Sequence, residues 1–94
     1  MFSRKEPYIR PTEEITLDYL RKTNNIIDDC WSRIIAENLY PYDDVKEHLV
    51  LWYIDYTPPY YVLSYYNKQG YTILKNPPKN QSIPELQHFH LLKI

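Results

Sequence analysis

From Glu13 to Leu39 the apolar side chains recur at helical spacing. Ile15, Tyr19 and Leu20 form one stripe, and Ile26, Ile27, Cys30, Trp31, Ile34, Ile35 and Leu39 form a stronger second. Steps of three and four residues put side chains on one helical face. Thr12 is placed to cap this helix, with Glu13 and Glu14 at the positive end of its dipole. Thr23, Asn24 and Asn25 interrupt it with weak helix formers, so the reading is one long helix or a helix kinked near Asn24. Unbroken, it would run about 40 Å, against a radius of gyration of roughly 12 to 13 Å for a compact chain of this size. That comparison favours the kink. Tyr40, Pro41 and Tyr42 end it, because a proline disfavours helical geometry in the residue before it.

At His48 the period changes to two. His48, Val50, Trp52, Ile54 and Tyr56 fall on one face, and Leu49, Leu51, Tyr53 and Asp55 on the other. With both faces largely apolar, this strand belongs in the middle of a sheet or uses one face for contact. Three strands are expected, over 48–56, 60–66 and 71–76, because β-branched and aromatic side chains suit a pleated surface. Asn67 to Gly70 reads as the hairpin turn between the last two, with glycine in the left-handed position. Ser82 and Glu85 have capping-box spacing and Pro84 suits a first helical turn, which predicts a C-terminal helix over 83–92. The fold class is α+β: an N-terminal helical region, a three-stranded antiparallel meander and a C-terminal helix, in a single domain over 12–94. Residues 1–11 read as a flexible or extended arm.

Composition narrows the setting. Ninety-four residues with one cysteine leave no intramolecular disulfide and fit a reducing compartment. No apolar run reaches the ~20 residues of a membrane helix, and Met1 to Pro11 is polar rather than a signal peptide. A cytoplasmic location is expected, in a host cell if the protein is viral. Abundant Ile, Tyr, Asn and Lys beside one alanine and one glycine point to AT-rich codons; a virus, phage, plasmid or thermophilic archaeon would fit, and a viral or mobile-element origin is the expectation. The net charge of −1 divides into +2 over residues 1–11, −6 over 12–56 and +3 over 57–94. Such a division either forms solvated faces or steers a partner.

Few residues suggest chemistry. His88 and His90 would share a metal on a strand but point apart on the expected helix; with His48 and Cys30 they would need the fold to assemble a site, and no metal or cofactor is expected. Cys30 has no neighbouring base to raise its thiolate fraction. Asp28/Asp29 and Asp43/Asp44 are adjacent pairs that diverge on any regular element. A single glycine rules out a glycine-rich phosphate loop. No enzymatic activity is expected.

Tyrosine and tryptophan exceed what one small core readily buries, which favours protein contact. The expected function is a small non-enzymatic interaction protein, binding a protein partner or itself as a homodimer, with Trp52, Tyr53, Tyr60, Tyr66, Tyr8 and Ile9 as contact candidates. The alternative is a nucleic-acid binder in which tyrosines stack on bases while Arg4, Lys5, Arg10, Lys68, Lys75 and Lys79 meet phosphates. No membrane partner is expected. A third reading rests on three pieces: Arg33 with Ala36, Glu37 and Leu39; Leu49 and Val50 with Tyr61, Val62, Leu63 and Ser64; and Ser82 to Leu86. In that order they resemble the first helix, central strands and second helix of the SH2 phosphotyrosine-binding family. Leu51 stands where the family's phosphate-binding arginine would be, so the resemblance implies a peptide-binding module with phosphotyrosine recognition lost or altered.

Overall fold

The computed structural model describes residue 4 and residues 14–54, 57–75 and 86–94. Among these, the chain runs α1 (Leu17–Thr23), β1 (Ile26–Cys30), β2 (Arg33–Glu37), β3 (Glu47–Tyr53), α2 (Tyr60–Lys68), β4 (Thr72–Leu74) and β5 (Gln87–Lys93). The five strands form one antiparallel sheet in the order β1-β2-β3-β5-β4. The protein is α+β, as expected, but a five-stranded sheet with two short helices replaces the three-stranded meander between a long helix and a C-terminal helix.

The first correction falls on residues 13–39. Among the described residues of this stretch only Leu17–Thr23 is helical, capped by Thr16, whose Oγ1 accepts from the Tyr19 N–H at 3.1 Å. At Asn24 the backbone becomes extended, and the rest folds as the β1–β2 hairpin. Four β-branched isoleucines at helical spacing serve two strands equally well, and those of β2, which is covered on both faces, read as part of a continuous apolar run. Ile34, Ile35 and Ala36 are indeed all buried. The expected capping residue Thr12 lies outside the described residues.

The expected 60–66 strand is α2. Val62 and Leu63 face the sheet while Tyr60, Tyr61 and Tyr65 face water. The turn predicted at Asn67–Gly70 holds a different pair of elements together. Gly70 has φ +97°, its N–H donates to the Asn67 carbonyl and the Tyr71 N–H to the Tyr66 carbonyl, both at 3.1 Å. That pairing is a Schellman helix stop, completed by the Tyr66 and Tyr71 rings meeting edge to face 5.5 Å apart. The third expected strand is present, shortened to Thr72–Leu74. The expected C-terminal helix is corrected to strand β5; the capping signals at Ser82, Pro84 and Glu85 lie outside the described residues.

These corrections also remove the architecture implied by the SH2 resemblance. Arg33, Ala36 and Glu37 lie on a strand rather than a first helix, and Tyr61 to Ser64 on a helix rather than a strand.

The expectation of a central strand covered on both faces is met by β3, which is buried from His48 to Tyr53. Leu17 and Leu20 of α1 cover one face with Ile34, Val50, Trp52 and Leu86. Val62 and Leu63 of α2 cover the other with Ile35, Leu49, Leu51, Tyr53 and Leu91. The sheet is thus the middle of three layers, and each fully buried aliphatic side chain contributes about 1.5–3 kcal/mol relative to exposure. Seven residue pairs, from Glu47↔Lys93 to Tyr53↔Gln87, join β3 to β5.

Candidate functional site

The two-residue turn of the β1–β2 hairpin carries Trp31, whose side chain is 83% exposed. A tight hairpin normally uses left-handed residues so that its twist matches the strands, yet no residue other than Gly70 has a positive φ among those described. The turn is braced from outside instead. Arg21, on the last turn of α1, donates from Nε to Asp29 Oδ1 at 2.9 Å, from Nη1 to Asp18 Oδ1 at 2.9 Å, and from Nη2 to the Cys30 carbonyl at 2.6 Å and the Trp31 carbonyl at 3.2 Å. The carboxylate of Asp29, then that of Asp18, holds this guanidinium's pKa above its ordinary value. A planar fork suits this task, because it satisfies several acceptors at fixed angles.

Trp31 forms one wall of an open groove of about 350 Å³, with Ile15, Leu17, Ile54 and Leu86 supplying apolar surface and Arg21 at the rim. Ile54, half exposed, is fixed beside the turn by its N–H donating to the Ser32 carbonyl at 3.1 Å. An exposed indole on a braced turn, next to a concave apolar surface, is suited to binding: the backbone that carries the anchor is held before any partner arrives. Sequence reasoning missed Trp31 by placing it on a helical stripe. The usable signal was two Ile-containing runs, 26–30 and 33–37, flanking a pair of residues.

The expected contact residues are placed differently. Trp52 is 8% exposed and Tyr53 fully buried, so both serve the core. Tyr60 is exposed on α2 beside Tyr61 and Tyr65, and Tyr66 is half-buried at the helix end. Of the expected basic contacts, Lys68 is exposed, Lys75 lies 4.9 Å from the Phe89 ring and donates to the Tyr53 hydroxyl at 3.2 Å, and Arg4 lies over the Tyr42 ring at 4.6 Å. Tyr8, Ile9, Lys5, Arg10 and Lys79 lie outside the described residues.

On the α1 face, β3 and β5 bring His48, His88 and His90 together, all at least 95% buried. The rings form a row: Tyr42 to His48 at 4.4 Å, His48 to His90 at 4.9 Å, His90 to His88 at 5.3 Å, and His88 to Trp52 at 4.6 Å between centroids. On strands His88 and His90 do share a face, as the alternative to the expected helix required.

Their protons follow from their partners. The Tyr42 N–H donates to His48 Nδ1 at 3.1 Å, so the neutral His48 carries its proton on Nε2 and donates to His90 Nδ1 at 2.7 Å. In this tautomer the Asn38 amide nitrogen, 3.3 Å from His48 Nε2, faces another donor. His88 donates from Nδ1 to the Leu86 carbonyl at 3.2 Å. The bridging nitrogen of His48 is therefore a donor, where a metal would need a lone pair, and no group of three possible ligands has metal-binding geometry among the described residues. Burial pushes His48 down to about 4, helped by Arg4, and His90 to about 3, helped by His48, His88 and Arg4; it lowers His88 as well.

No family model, curated protein or solved structure matches the chain. No described helix is long and apolar enough to cross a membrane.

Proposed function

We propose that this protein is a small non-enzymatic interaction module that associates with a second copy of itself through Trp31 and the groove beside it. The observation that carries the reading is an indole left 83% exposed on a hairpin held by three hydrogen bonds from Arg21. Because Trp31 is itself a wall of the groove, knob and hole lie side by side on one patch. An isologous two-fold contact requires that arrangement, since each Trp31 then enters the other copy's groove. A chain of this size also buries a modest share of its surface when it folds alone, so association adds to stability. The abundance of Ile, Tyr, Asn and Lys fits an accessory role in a virus or mobile element, and the single cysteine fits a reducing compartment such as the cytoplasm.

Nucleic-acid binding is the less favoured reading, because Arg4 and Lys75 are engaged with aromatic rings of the chain itself. Tryptophan fluorescence separates the sites. In Trp52→Phe, Trp31 is the one remaining indole, and its emission shifts to the blue and loses iodide quenching as concentration rises. Emission and quenching that stay constant over the whole range overturn self-association.

A further inference from the structure

Tyr42, 9% exposed, lies in the connection between β2 and β3, residues 38–46, and closes over the histidine row. Neutral imidazoles fit beneath it without conflict. One more proton does not. On His48 Nδ1 it would face the Tyr42 N–H, and on His90 Nδ1 it would face the His48 Nε2–H, so either charge sets donor against donor in a buried place. We propose that residues 38–46 form an acid-released cover: proton uptake by the His48–His90 pair expels Tyr42 from the sheet and opens this face while the strand ladder persists.

Among the described residues, the charged group that acts on both imidazoles is Arg4, and it opposes a further positive charge. Above the pair is Arg4, whose guanidinium lies over the Tyr42 ring and whose Nε donates to the Tyr40 carbonyl. From β5 comes His88, and from the end of β4 Lys75, whose charge also disfavours protonated His88. From the connection itself come the Tyr42 phenol, beside both rings, and Asp43 and Asp44, which are exposed. β3 contributes Val50 and Trp52 to this face.

The connection is tied to the sheet at both ends and to an imidazole between them. Its ends join the ends of the interior strands β3 and β5 through the Asn38 N–H to the His48 carbonyl at 2.9 Å and the Lys46 N–H to the Lys93 carbonyl at 2.6 Å. Midway, Tyr42 is bonded to an imidazole that acid converts from acceptor to donor. Lifting the cover lets water reach His48 and His90 without breaking the seven β3–β5 pairs.

The test is an NMR titration of the whole chain from pH 7.5 to 4, following the imidazoles, the Tyr42 amide, and the Leu51 and Leu91 amides of the ladder. The proposal requires His48 and His90 to stay neutral at pH 6.5 and to protonate as the Tyr42 amide loses protection, with Leu51 and Leu91 still protected. Protonation near pH 6.5 with Tyr42 still protected overturns it. So does simultaneous loss of Tyr42 and the ladder, which would be ordinary acid unfolding. Where it folds, His48→Gln keeps an amide acceptor that does not titrate, and release then moves down by at least one pH unit; release at the wild-type pH refutes the mechanism.

Discussion

Arg21 and Trp31 are joined by a 3.2 Å hydrogen bond from the guanidinium to the tryptophan carbonyl, so the residue with the most exposed large apolar side chain among those described is fixed by its backbone. The same Nη2 also holds the Cys30 carbonyl. The helix α1 therefore both covers the sheet and sets the direction of the turn. Arg21→Lys keeps the charge but replaces a five-donor fork with a single ammonium. The expected outcome is a mobile Trp31 turn with an intact sheet, seen as faster amide exchange at Cys30 to Arg33 and unchanged exchange at Leu51.

Gly70 is the second position where geometry dictates residue type. At φ +97° a Cβ would meet, among the described residues, only the Lys93 side chain, at 3.8 Å, an ordinary contact. The cost of substitution is thus conformational, about 1–2 kcal/mol for Gly70→Ala. Gly70→Asn should recover part of it, because asparagine tolerates the left-handed region better. Urea midpoints of the two variants check the order; equal midpoints for alanine and wild type would contradict the Schellman assignment.

The buried histidines fix the direction of pH dependence. Their pKa values are lower in the folded chain than the ordinary 6.5, for His48 about 4 and for His90 about 3, so the unfolded chain binds more protons between those limits. Stability is complete above pH 6.5 and falls as pH drops towards 4 and 3, by about 1.4 kcal/mol per pH unit for each histidine that titrates. Urea unfolding at pH 7, 6 and 5 measures that slope. A flat profile, or greater stability at pH 5 than at pH 7, would contradict neutral burial of the row.

Leu51 tests the three-layer core. It is fully buried on β3, between β2 and β5, in the cluster that α2 completes. Leu51→Ala should cost about 2–5 kcal/mol, a large share of the stability of a domain this small. Thermal unfolding reads the loss directly.

β3 was legible because its two faces are both apolar, the mark of a strand placed in the middle of a sheet or using one face for contact. Gly70 was legible for the same kind of reason: one residue type suits a left-handed backbone, whichever elements the turn connects. Elsewhere the local signals competed. The isoleucines of residues 26–35 fit a helical stripe as well as two strands, and Trp31 and Ser32 carry no glycine or asparagine to announce a hairpin. The bracing that replaces those residues comes from Arg21, ten positions away from Trp31. At the other end, Ser82, Pro84 and Glu85 gave a helix signal that outweighed the alternation of His88, His90 and Leu92. Assigning β5 correctly depends on pairing with β3 across more than thirty intervening residues, which no local pattern contains.

The central claim is that Trp31 and its groove mediate association. The direct measurement is molar mass by light scattering over a concentration series, for wild type and Trp31→Ala, with and without a mixed oligonucleotide pool at low and high salt. Truncating an interface tryptophan of this kind costs about 2 kcal/mol or more, roughly thirty-fold in the dissociation constant. The account predicts a wild-type dimer that ignores the pool and a folded Trp31→Ala variant shifted to monomer. A wild-type monomer at every concentration, or a mass that rises only with oligonucleotide at low salt, would contradict it.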